Sequence, residues 1–216
     1  MELYLVRHGQ SESNVGIDVE DPRLTETGVR QAELLGRRLR DVRFDRVFTS
    51  HLTRAIQTAA IVLRQQTAPP PIEVVPELTE CGDRDFVSDA AHIRRLYGDL
   101  QVFGVASRPF SDNAARAAFC LENCVFQPAY SGMDHVSRDG EGEITQNDKN
   151  VLIVAHGMFN AHLIGQLVNF PFDKNMVVSQ YNACLNCFQL YCMNGVRRVR
   201  FRSFNDVSHL PETLWT

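Results

Sequence analysis

The sequence lacks an apolar run long enough to cross a bilayer, and it lacks a basic start followed by an apolar leader. It also lacks an excess of positive charge, because 22 Lys and Arg stand against 26 Asp and Glu, giving a formal net charge of -4. We therefore expect a cytoplasmic protein with no membrane partner and no nucleic-acid partner. The attraction of an anionic ligand would have to come from one local pocket.

Signals for disulfides and metal sites are weak. Six cysteines without a secretory leader predict reduced thiols. Cys184 and Cys187 have the spacing of a zinc pair, but they fall in a strand pattern, where positions three apart point to opposite faces. The stretch RDGEGE, residues 138–143, lacks the full ligand set and closing glutamate of a calcium loop. We expect no metal and no cofactor.

The apolar pattern predicts an α/β fold, with residues 1–216 forming a single domain. Short apolar runs predict strands at 3–6, 46–49, 72–75 and 151–155. Helical spacing predicts helices over about 27–40, over 52–63 with Ser50 as N-cap, and from Phe159 onward. Because strands and helices alternate, we expect a mainly parallel central sheet. Two further strands, 181–192 and 196–204, are predicted to pair through a turn at Asn194-Gly195.

Residues 84–149 interrupt this alternation. Helical pieces are predicted near 89–100 and 112–124, and they lead into the polar, acidic stretch SRDGEGEITQNDKN, residues 137–150. We interpret residues 84–149 as a helical insertion that lies over the sheet and the active site and ends in a mobile loop.

Charged side chains follow three of the predicted strands. Arg7 and His8 follow strand 3–6, Arg54 lies in the first turn of the helix after strand 46–49, and His156 follows strand 151–155. Ligands of open α/β sheets bind beyond the carboxyl ends of parallel strands, so we expect these four side chains to share one pocket. The arginine fork matches phosphate oxygens, and a glycine after each histidine would let the backbone approach a ligand. The pattern therefore predicts a site for a phosphate dianion.

Five ordered stretches strengthen this prediction: LVRHGQSESN at 5–14, RLTETGVRQA at 23–32, TSHLTRAIQTA at 49–59, VAHG at 154–157 and NDVSHL at 205–210. In this order they resemble the histidine phosphatase superfamily, in its phosphoglycerate-mutase-like branch. The matches span most of the chain outside the insertion. The resemblance implies a three-layer α/β/α fold and covalent phosphoryl transfer without a metal.

The resemblance also implies roles for the motif residues. His8 would be the nucleophile and would carry a phosphohistidine intermediate. The groups that would hold the transferring phosphoryl group are Arg7, Asn14, Arg54, His156 and Gly157. The chemistry of these residues agrees, because a neutral imidazole is a competent nucleophile and preorganised donors stabilise the charge of the transition state.

A carboxyl group is needed to protonate the leaving alcohol and then to deprotonate the attacking water. The family takes it from a glutamate in an L-x-E stretch after the third strand, which here points to Glu80. The following residues depart from the family pattern, because the glycine comes after only one residue and the later aromatic-glycine sequence is absent. Glu77, Asp83 and Asp85 are the alternatives.

Three functions are compatible with these residues. We favour a phosphatase that hydrolyses a small-molecule phosphate ester and releases inorganic phosphate. The alternatives are a phosphoglycerate-mutase-type phosphotransferase and a catalytically idle, phosphate-binding regulatory protein. The insertion lacks the arginine-rich and proline-rich signature of the mutases, and an idle relative would be expected to have lost a site residue. The C-terminal tail, with Trp215, could contact a second subunit of a homodimer.

Overall fold

The computed structural model describes residues 1–81, 101–102, 110–131, 135–139, 142–170 and 178–216. Nine strands in these ranges form one sheet: β1 (Glu2–Arg7), β2 (Arg46–Thr49), β3 (Ile72–Val74), β4 (Gln101–Val102), β5 (His135–Asp139), β6 (Gly142–Gln146), β7 (Asn150–Ala155), β8 (Leu185–Met193) and β9 (Val196–Asp206). Their order is β4-β3-β2-β7-β1-β8-β6-β5, and β9 pairs with β8.

The sheet is mixed, so the prediction of a mainly parallel sheet is correct for only part of it. Parallel pairing joins β4, β3, β2, β7 and β1. The pairs β1–β8, β8–β9, β8–β6 and β6–β5 are antiparallel. Short turns make β5–β6 and β8–β9 antiparallel, whereas β1–β8 and β6–β8 pair strands that are distant in the sequence, so strand–helix alternation does not reveal them.

Helices cover both faces of the sheet in three layers. They are α1 (Glu26–Leu39), α2 (Thr53–Leu63), α3 (Asn113–Cys120), α4 (Gln127–Tyr130) and α5 (Gly157–Leu167), with a π-helical segment, Leu121–Phe126, between α3 and α4. On one face, α1 and α2 pack against buried sheet residues such as Leu152. On the other face, Phe159 of α5 packs among Leu5, Ile153 and residues of α3. In the described ranges, no helix combines the length and apolar character that crossing a bilayer requires.

Helix α2 begins later than the sequence predicts. Ser50 is not its N-cap; the N-cap position is Leu52, whose side chain makes no capping hydrogen bond. The carboxylate of Asp21 instead accepts from the amide of Thr53, at 3.0 Å, and from the Thr53 hydroxyl. A distant carboxylate therefore caps this helix, which leaves Ser50 for another contact.

The prediction for the insertion is partly correct. Residues 113–130 are helical, close to the predicted 112–124, and α3 packs against α5. The predicted helix near 89–100 lies outside the described residues. The prediction of a mobile loop at 137–150 is wrong, because strands β5 and β6 pair there and β6 extends the sheet beside β8. In the register of this hairpin Val136 pairs with Thr145 and Ile144 with Ser137, so apolar residues are sparse there and the acidic composition hides the strand pattern.

The β8–β9 hairpin forms as predicted around Asn194-Gly195, where both residues have positive φ, 50° and 76°. All six cysteines are thiols. Cys184 lies just before β8 beside Val207, whereas Cys187 packs at the edge of the α1–α2 core, so the two do not form a ligand pair. Among the described residues, no group of three His, Cys, Asp or Glu is arranged to hold a metal ion.

His209, in the C-terminal segment, gives the fold an acid-sensitive position. Burial and the charge of Arg38 lower its pKa from 6.5 to about 4. Between these values the unfolded chain binds a proton at this residue and the folded chain does not, so the free energy of unfolding falls as the pH is lowered. Between pH 6.5 and 4, we expect His209→Gln to take up about one proton fewer on unfolding than the parent. Its free energy of unfolding should therefore depend less on pH, as measured by urea unfolding at several pH values. If the free energy of unfolding changed equally with pH in the parent and in the variant, the prediction would be wrong.

Candidate active site

Three adjacent strands bring the predicted site residues to one edge of the sheet. The strand β7 lies between β1 and β2 and is parallel to both. Their carboxyl ends therefore coincide, with Arg7 and His8 at the end of β1 and His156 at the end of β7. Arg54, in the first turn of α2, follows the end of β2. The structure thus brings Arg7, His8, Arg54 and His156 together, as predicted.

His8 is buried, and its hydrogen bonds define which ring nitrogen is available. Nδ1 lies 2.7 Å from the carbonyl oxygen of Gly9, which can only accept, so Nδ1 carries the proton of a neutral ring. Nε2 accepts from Nε of Arg54 at 3.3 Å. Burial lowers the pKa of His8 well below its usual value, and the charges of Arg54 and Arg7 add to this. The ring is therefore neutral, with its lone pair on Nε2.

The two arginines are held differently. Arg54 is buried and touches His8 directly. Arg7 donates from Nη1 to the carbonyl oxygen of Gln180, while its buried Nε has no hydrogen-bond partner within the described structure. Burial lowers the pKa of Arg7, and the charge of Glu80 opposes that change. Both guanidinium groups lie largely out of water, where their charges act on an anion with little screening.

His156 is fully buried, and the centroid of its ring lies 5.1 Å from that of His8. Its Nε2 is 2.8 Å from the hydroxyl of Ser50. That hydroxyl already accepts from the amide of Leu52, so its own proton can be donated to Nε2. In this arrangement the ring proton lies on Nδ1, which has no partner in the described structure. Burial lowers the pKa of His156 well below its usual value, and nearby His8 and Arg54 contribute.

Glu80 lies at the N-terminus of α5. Its carboxylate accepts from the amide of Phe159 at 3.0 Å, from that of Met158 at 3.4 Å, and from that of Cys81 at 2.8 Å. An N-terminal helix turn is a favourable place for a carboxylate, because its amides and dipole attract negative charge. The alternative Glu77 is buried in the preceding 3-10 turn, and Asp83 and Asp85 lie outside the described residues.

Asn14 and Gly157 also lie beside the cluster. The Asn14 side-chain oxygen accepts from the amide and hydroxyl of Ser11 and from Nδ2 of Asn182, which orients its amide nitrogen as the remaining polar group. Gly157 is the first residue of α5, and a Cβ there would lie only 3.2 Å from Nε of Arg7. Gly157 therefore makes room for the Arg7 side chain, besides exposing the backbone.

Several supporting residues are not evident from the sequence. Thr58 accepts from the amide of Gly9 at 3.0 Å and donates to the carbonyl of Arg54. Asn182 is buried and donates to the carbonyl oxygen of His8 at 3.1 Å. Gln180 supplies the carbonyl for Arg7. Thr58 lies four residues after Arg54, a spacing that places both on one face of α2. No local pattern links residues 180 and 182 to Arg7 and His8, more than 170 residues away.

The loop after His8 rests on a contact between two glycine backbones. A Cβ at Gly9 would lie 2.5 Å from the carbonyl oxygen of Gly28, and a Cβ at Gly28 would lie 2.0 Å from that of Gln10. The sequence predicts Gly9 as a place where backbone approaches a ligand; the structure shows that it also lets α1 approach the loop. This contact sets the position of residues 8–10 against the helix.

We expect Gly28→Ala to lower the free energy of unfolding by about 3 kcal/mol, although alanine favours a helix, because the new methyl group meets backbone that cannot move alone. Gly16→Ala is the matched control. Gly16 has φ 81° and open space around it, so only backbone strain of about 1 kcal/mol is expected there. Chemical unfolding measures both values. Equal losses in the two variants would show that the contact is relieved by small shifts.

Comparison with known proteins identifies the family of the chain. Residues 3–100 match the model of the Histidine phosphatase superfamily (branch 1). The chain is 33% identical to the adenosylcobalamin/alpha-ribazole phosphatase of Salmonella typhimurium over 181 residues, which cover 79% of this chain and 81% of the relative. It is 42% identical over 103 residues to a 2,3-bisphosphoglycerate-dependent phosphoglycerate mutase of Methylobacterium sp., covering 45% of this chain and 43% of the mutase.

A solved structure agrees in fold. Phosphoserine phosphatase from Entamoeba histolytica, in complex with 3-phosphoglyceric acid, superposes with a TM-score of 0.65 and 18% identity, over 97% of this chain and 99% of that chain. The family model covers the motifs at Arg7, His8 and Arg54, and the phosphatase relative extends the match over most of the chain. The chain therefore belongs to the histidine phosphatase superfamily.

Proposed function

We propose that this protein is a phosphatase that hydrolyses a phosphate monoester in two steps, with the phosphoryl group carried on Nε2 of His8. The observation that supports this best is the state of His8. Its ring is buried and neutral, Nδ1 is engaged by the carbonyl of Gly9, and Nε2 faces the guanidinium group of Arg54. A neutral nucleophile beside fixed positive charge is what phosphoryl transfer requires.

In the first step, the lone pair of His8 Nε2 attacks phosphorus and forms an N–P bond. The bond between phosphorus and the ester oxygen breaks, its electron pair stays on that oxygen, and the carboxyl group of Glu80 supplies the proton that makes the alcohol. The proton on His8 Nδ1 remains on the ring, hydrogen-bonded to the Gly9 carbonyl. Holding this bond keeps the imidazole aligned while charge moves onto it.

In the second step, water attacks the phosphorus of phosphohistidine. Its oxygen forms the new P–O bond, one of its protons passes to the carboxylate of Glu80, and the N–P electron pair returns to His8 Nε2. The products are inorganic phosphate and the enzyme in its starting state. Glu80 is the candidate for both steps because its carboxyl group is held at the first residues of α5, beside Gly157, and its charge acts on the guanidinium group of Arg7.

The oxygens of the phosphoryl group would be held by donors from three parts of the chain. Arg7 and Arg54 supply positive charge, and His156 supplies the Nδ1 proton that its contact with Ser50 permits. The side-chain amide of Asn14 and the backbone amide of Gly157 complete the set. Because these donors are positioned before the substrate binds, little reorganisation is needed as charge spreads in the transition state.

The competing functions differ from hydrolysis in the product that is released. Relatives include both a phosphatase and a mutase, so their names favour neither. A mutase must return the phosphoryl group to a second hydroxyl and exclude water meanwhile. The insertion lacks the mutase signature, which favours hydrolysis. With 3-phosphoglycerate, phosphate release supports the phosphatase, an isomeric phosphoglycerate indicates a mutase, and tight phosphate binding without turnover indicates an idle relative.

The test of this function is to trap the intermediate. The purified protein is incubated with EDTA and a panel of phosphate esters, quenched in alkali, and digested for mass analysis. We expect phosphate release without added metal and an acid-labile, alkali-stable phosphoryl group on the peptide that contains His8. Release that requires a divalent metal, or turnover with no phosphorylated His8 under burst conditions, would contradict the proposal.

Glu80→Gln should separate the proton-transfer role from simple binding. We expect kcat for an alkyl phosphate to fall by about 10³-fold, because its alkoxide is a poor leaving group without a proton. With p-nitrophenyl phosphate, whose leaving group needs no proton, the loss in the phosphorylation step should be much smaller, as burst kinetics would measure. Glu77→Gln is the comparison, since Glu77 is the described alternative. The same pattern at Glu77 instead would assign the role there.

A further inference from the structure

Exposed apolar side chains are concentrated on three segments beside the proposed phosphate site. In the described part of the chain, eleven large apolar residues are exposed. Five of them lie on these segments and a sixth packs against Tyr181; we call the six the apolar rim: Val15, Ile17, Val19, Met158, Tyr181 and Trp215. Scattered exposed apolar residues are ordinary, but their clustering around a site indicates a surface that a ligand covers.

The first segment, residues 12–21, is anchored to the site at both ends. At its start, Asn14 is bound to Asn182, which holds the carbonyl of His8. At its end, Asp21 caps α2 next to Arg54. The segment therefore runs along the site from the nucleophile to the arginine of α2. Its apolar members, including Ile17 at 49% exposure, lie between these anchors.

The other two segments adjoin the site after the end of β7 and before the start of β8. Met158 follows Gly157, donates its amide to Glu80, and is 61% exposed. Tyr181 lies between Gln180, which binds Arg7, and Asn182, which binds the His8 carbonyl. Its ring lies 5.7 Å from that of Trp215, and both rings are about 40% exposed. Each segment thus offers an apolar surface one residue from a group of the site.

The charge of the first segment has one sign. Glu12, Asp18, Glu20 and Asp21 are acidic, and no Lys or Arg lies between Arg7 and Arg23. Among the described residues, a further guanidinium group, that of Arg116, lies beside Cys81 and Phe159, whereas the surface of residues 12–21 is acidic and apolar. A second acidic group on the substrate would meet repulsion there, whereas an uncharged or cationic apolar group would not.

We propose, resting on the phosphatase function above, that the preferred substrate is the phosphate monoester of an apolar alcohol, aromatic or bulky, without a second acidic group. The phosphoryl group occupies the site of Arg7, Arg54 and His156, and the organic part lies against the apolar rim. This preference would separate the protein from relatives that act on phosphorylated acids, because the apolar rim covers an apolar group and the acidic side chains of residues 12–21 repel a carboxylate.

The rim can be tested by binding, without relying on turnover. Ethylphosphonate, benzylphosphonate and 4-carboxybenzylphosphonate cannot be hydrolysed and differ only in their organic parts, so their dissociation constants report on the rim. We expect benzylphosphonate to bind about tenfold more tightly than ethylphosphonate. We expect the added carboxylate to weaken binding about fivefold. Hydrolysis of ethyl phosphate, benzyl phosphate and 4-carboxybenzyl phosphate is measured in parallel.

Matched variants assign the effect to the rim. In Ile17→Ser with Met158→Ser, the preference for benzylphosphonate over ethylphosphonate should fall below about threefold. In Val196→Ser, which removes a 50% exposed side chain on β9 away from the site, the preference should remain. Asp18→Asn with Glu20→Gln should remove most of the discrimination against the carboxylate.

The outcomes separate this proposal from the proposed function. Equal binding of benzylphosphonate and ethylphosphonate, or tighter binding of the carboxylated compound, overturns the rim proposal even if phosphate esters are hydrolysed. Selective binding of benzylphosphonate that depends on Ile17 and Met158 supports it even if no ester is hydrolysed, and in that case the phosphatase function fails alone.

Discussion

His8→Ala is expected to lower kcat/KM for phosphate esters by about 10⁵-fold, because the variant loses the atom that forms the N–P bond. The remaining donors can still bind a phosphate group, so KM should change far less than kcat. Steady-state kinetics with the parent's best ester measures the loss. The trapping experiment on the same variant should yield no phosphorylated peptide.

The control for this prediction is His162→Ala. His162 is a partly buried residue further along α5, and within the described ranges no hydrogen bond or ion pair joins it to a residue of the site. We expect it to keep nearly full activity and to form the phosphorylated intermediate. If His8→Ala retained more than a few per cent of the parent rate, the nucleophile would have to be another group, and the mechanism would be wrong.

Arg54→Met is expected to lower kcat/KM by about 10³-fold, and Arg54→Lys should recover at most about tenfold of that loss. The buried guanidinium contacts His8 Nε2 through Nε, so its fork can bind phosphate oxygens beside the nucleophile. The lysine ammonium keeps the charge but loses the planar pair of donors. Arg64→Met, at the exposed C-terminal end of α2, is the control and should be nearly silent.

A second measurement distinguishes electrostatics from misfolding in the Arg54 variants. The charge of Arg54 contributes to the low pKa of His8, because an adjacent cation disfavours the imidazolium form. Removing that charge in Arg54→Met should raise the pKa of His8, so the acid limb of the kcat/KM profile should move to higher pH. Arg54→Lys should move it less. An unchanged profile in Arg54→Met would show that the arginine does not act on the nucleophile.

The most accurate sequence predictions concern the parallel half of the sheet. Strand–helix alternation predicted β1, β2, β7 and their helices within a few residues, and it put Arg7, His8, Arg54 and His156 at coincident strand ends. This succeeded because the pattern is local and repeated: each buried strand is apolar, and polar or charged side chains follow its end. The antiparallel edge was less visible, since β5 and β6 carry a polar, acidic sequence.

Residues that support the site show why the remainder could not be predicted. Serine is a common N-cap residue and Ser50 lies just before α2, yet Asp21 caps the helix and the Ser50 hydroxyl instead contacts Nε2 of His156. Gly9 looks like a residue of the ligand site, but it also faces Gly28. In each case the residue type shows which contacts are possible, and a partner far along the chain determines which contact forms.

By itself, the sequence determined the chemical groups available, the strands that carry them and the order in which they reach one edge of the sheet, because periodicity and strand ends are local properties. Only the tertiary structure decided the contact of His8 Nε2 with Arg54, the partner of Ser50, the contribution of residues 180–182 and the surface beside the phosphate site. Those features depend on hydrogen bonds and contacts between segments tens to more than a hundred residues apart, and no local pattern encodes such pairings.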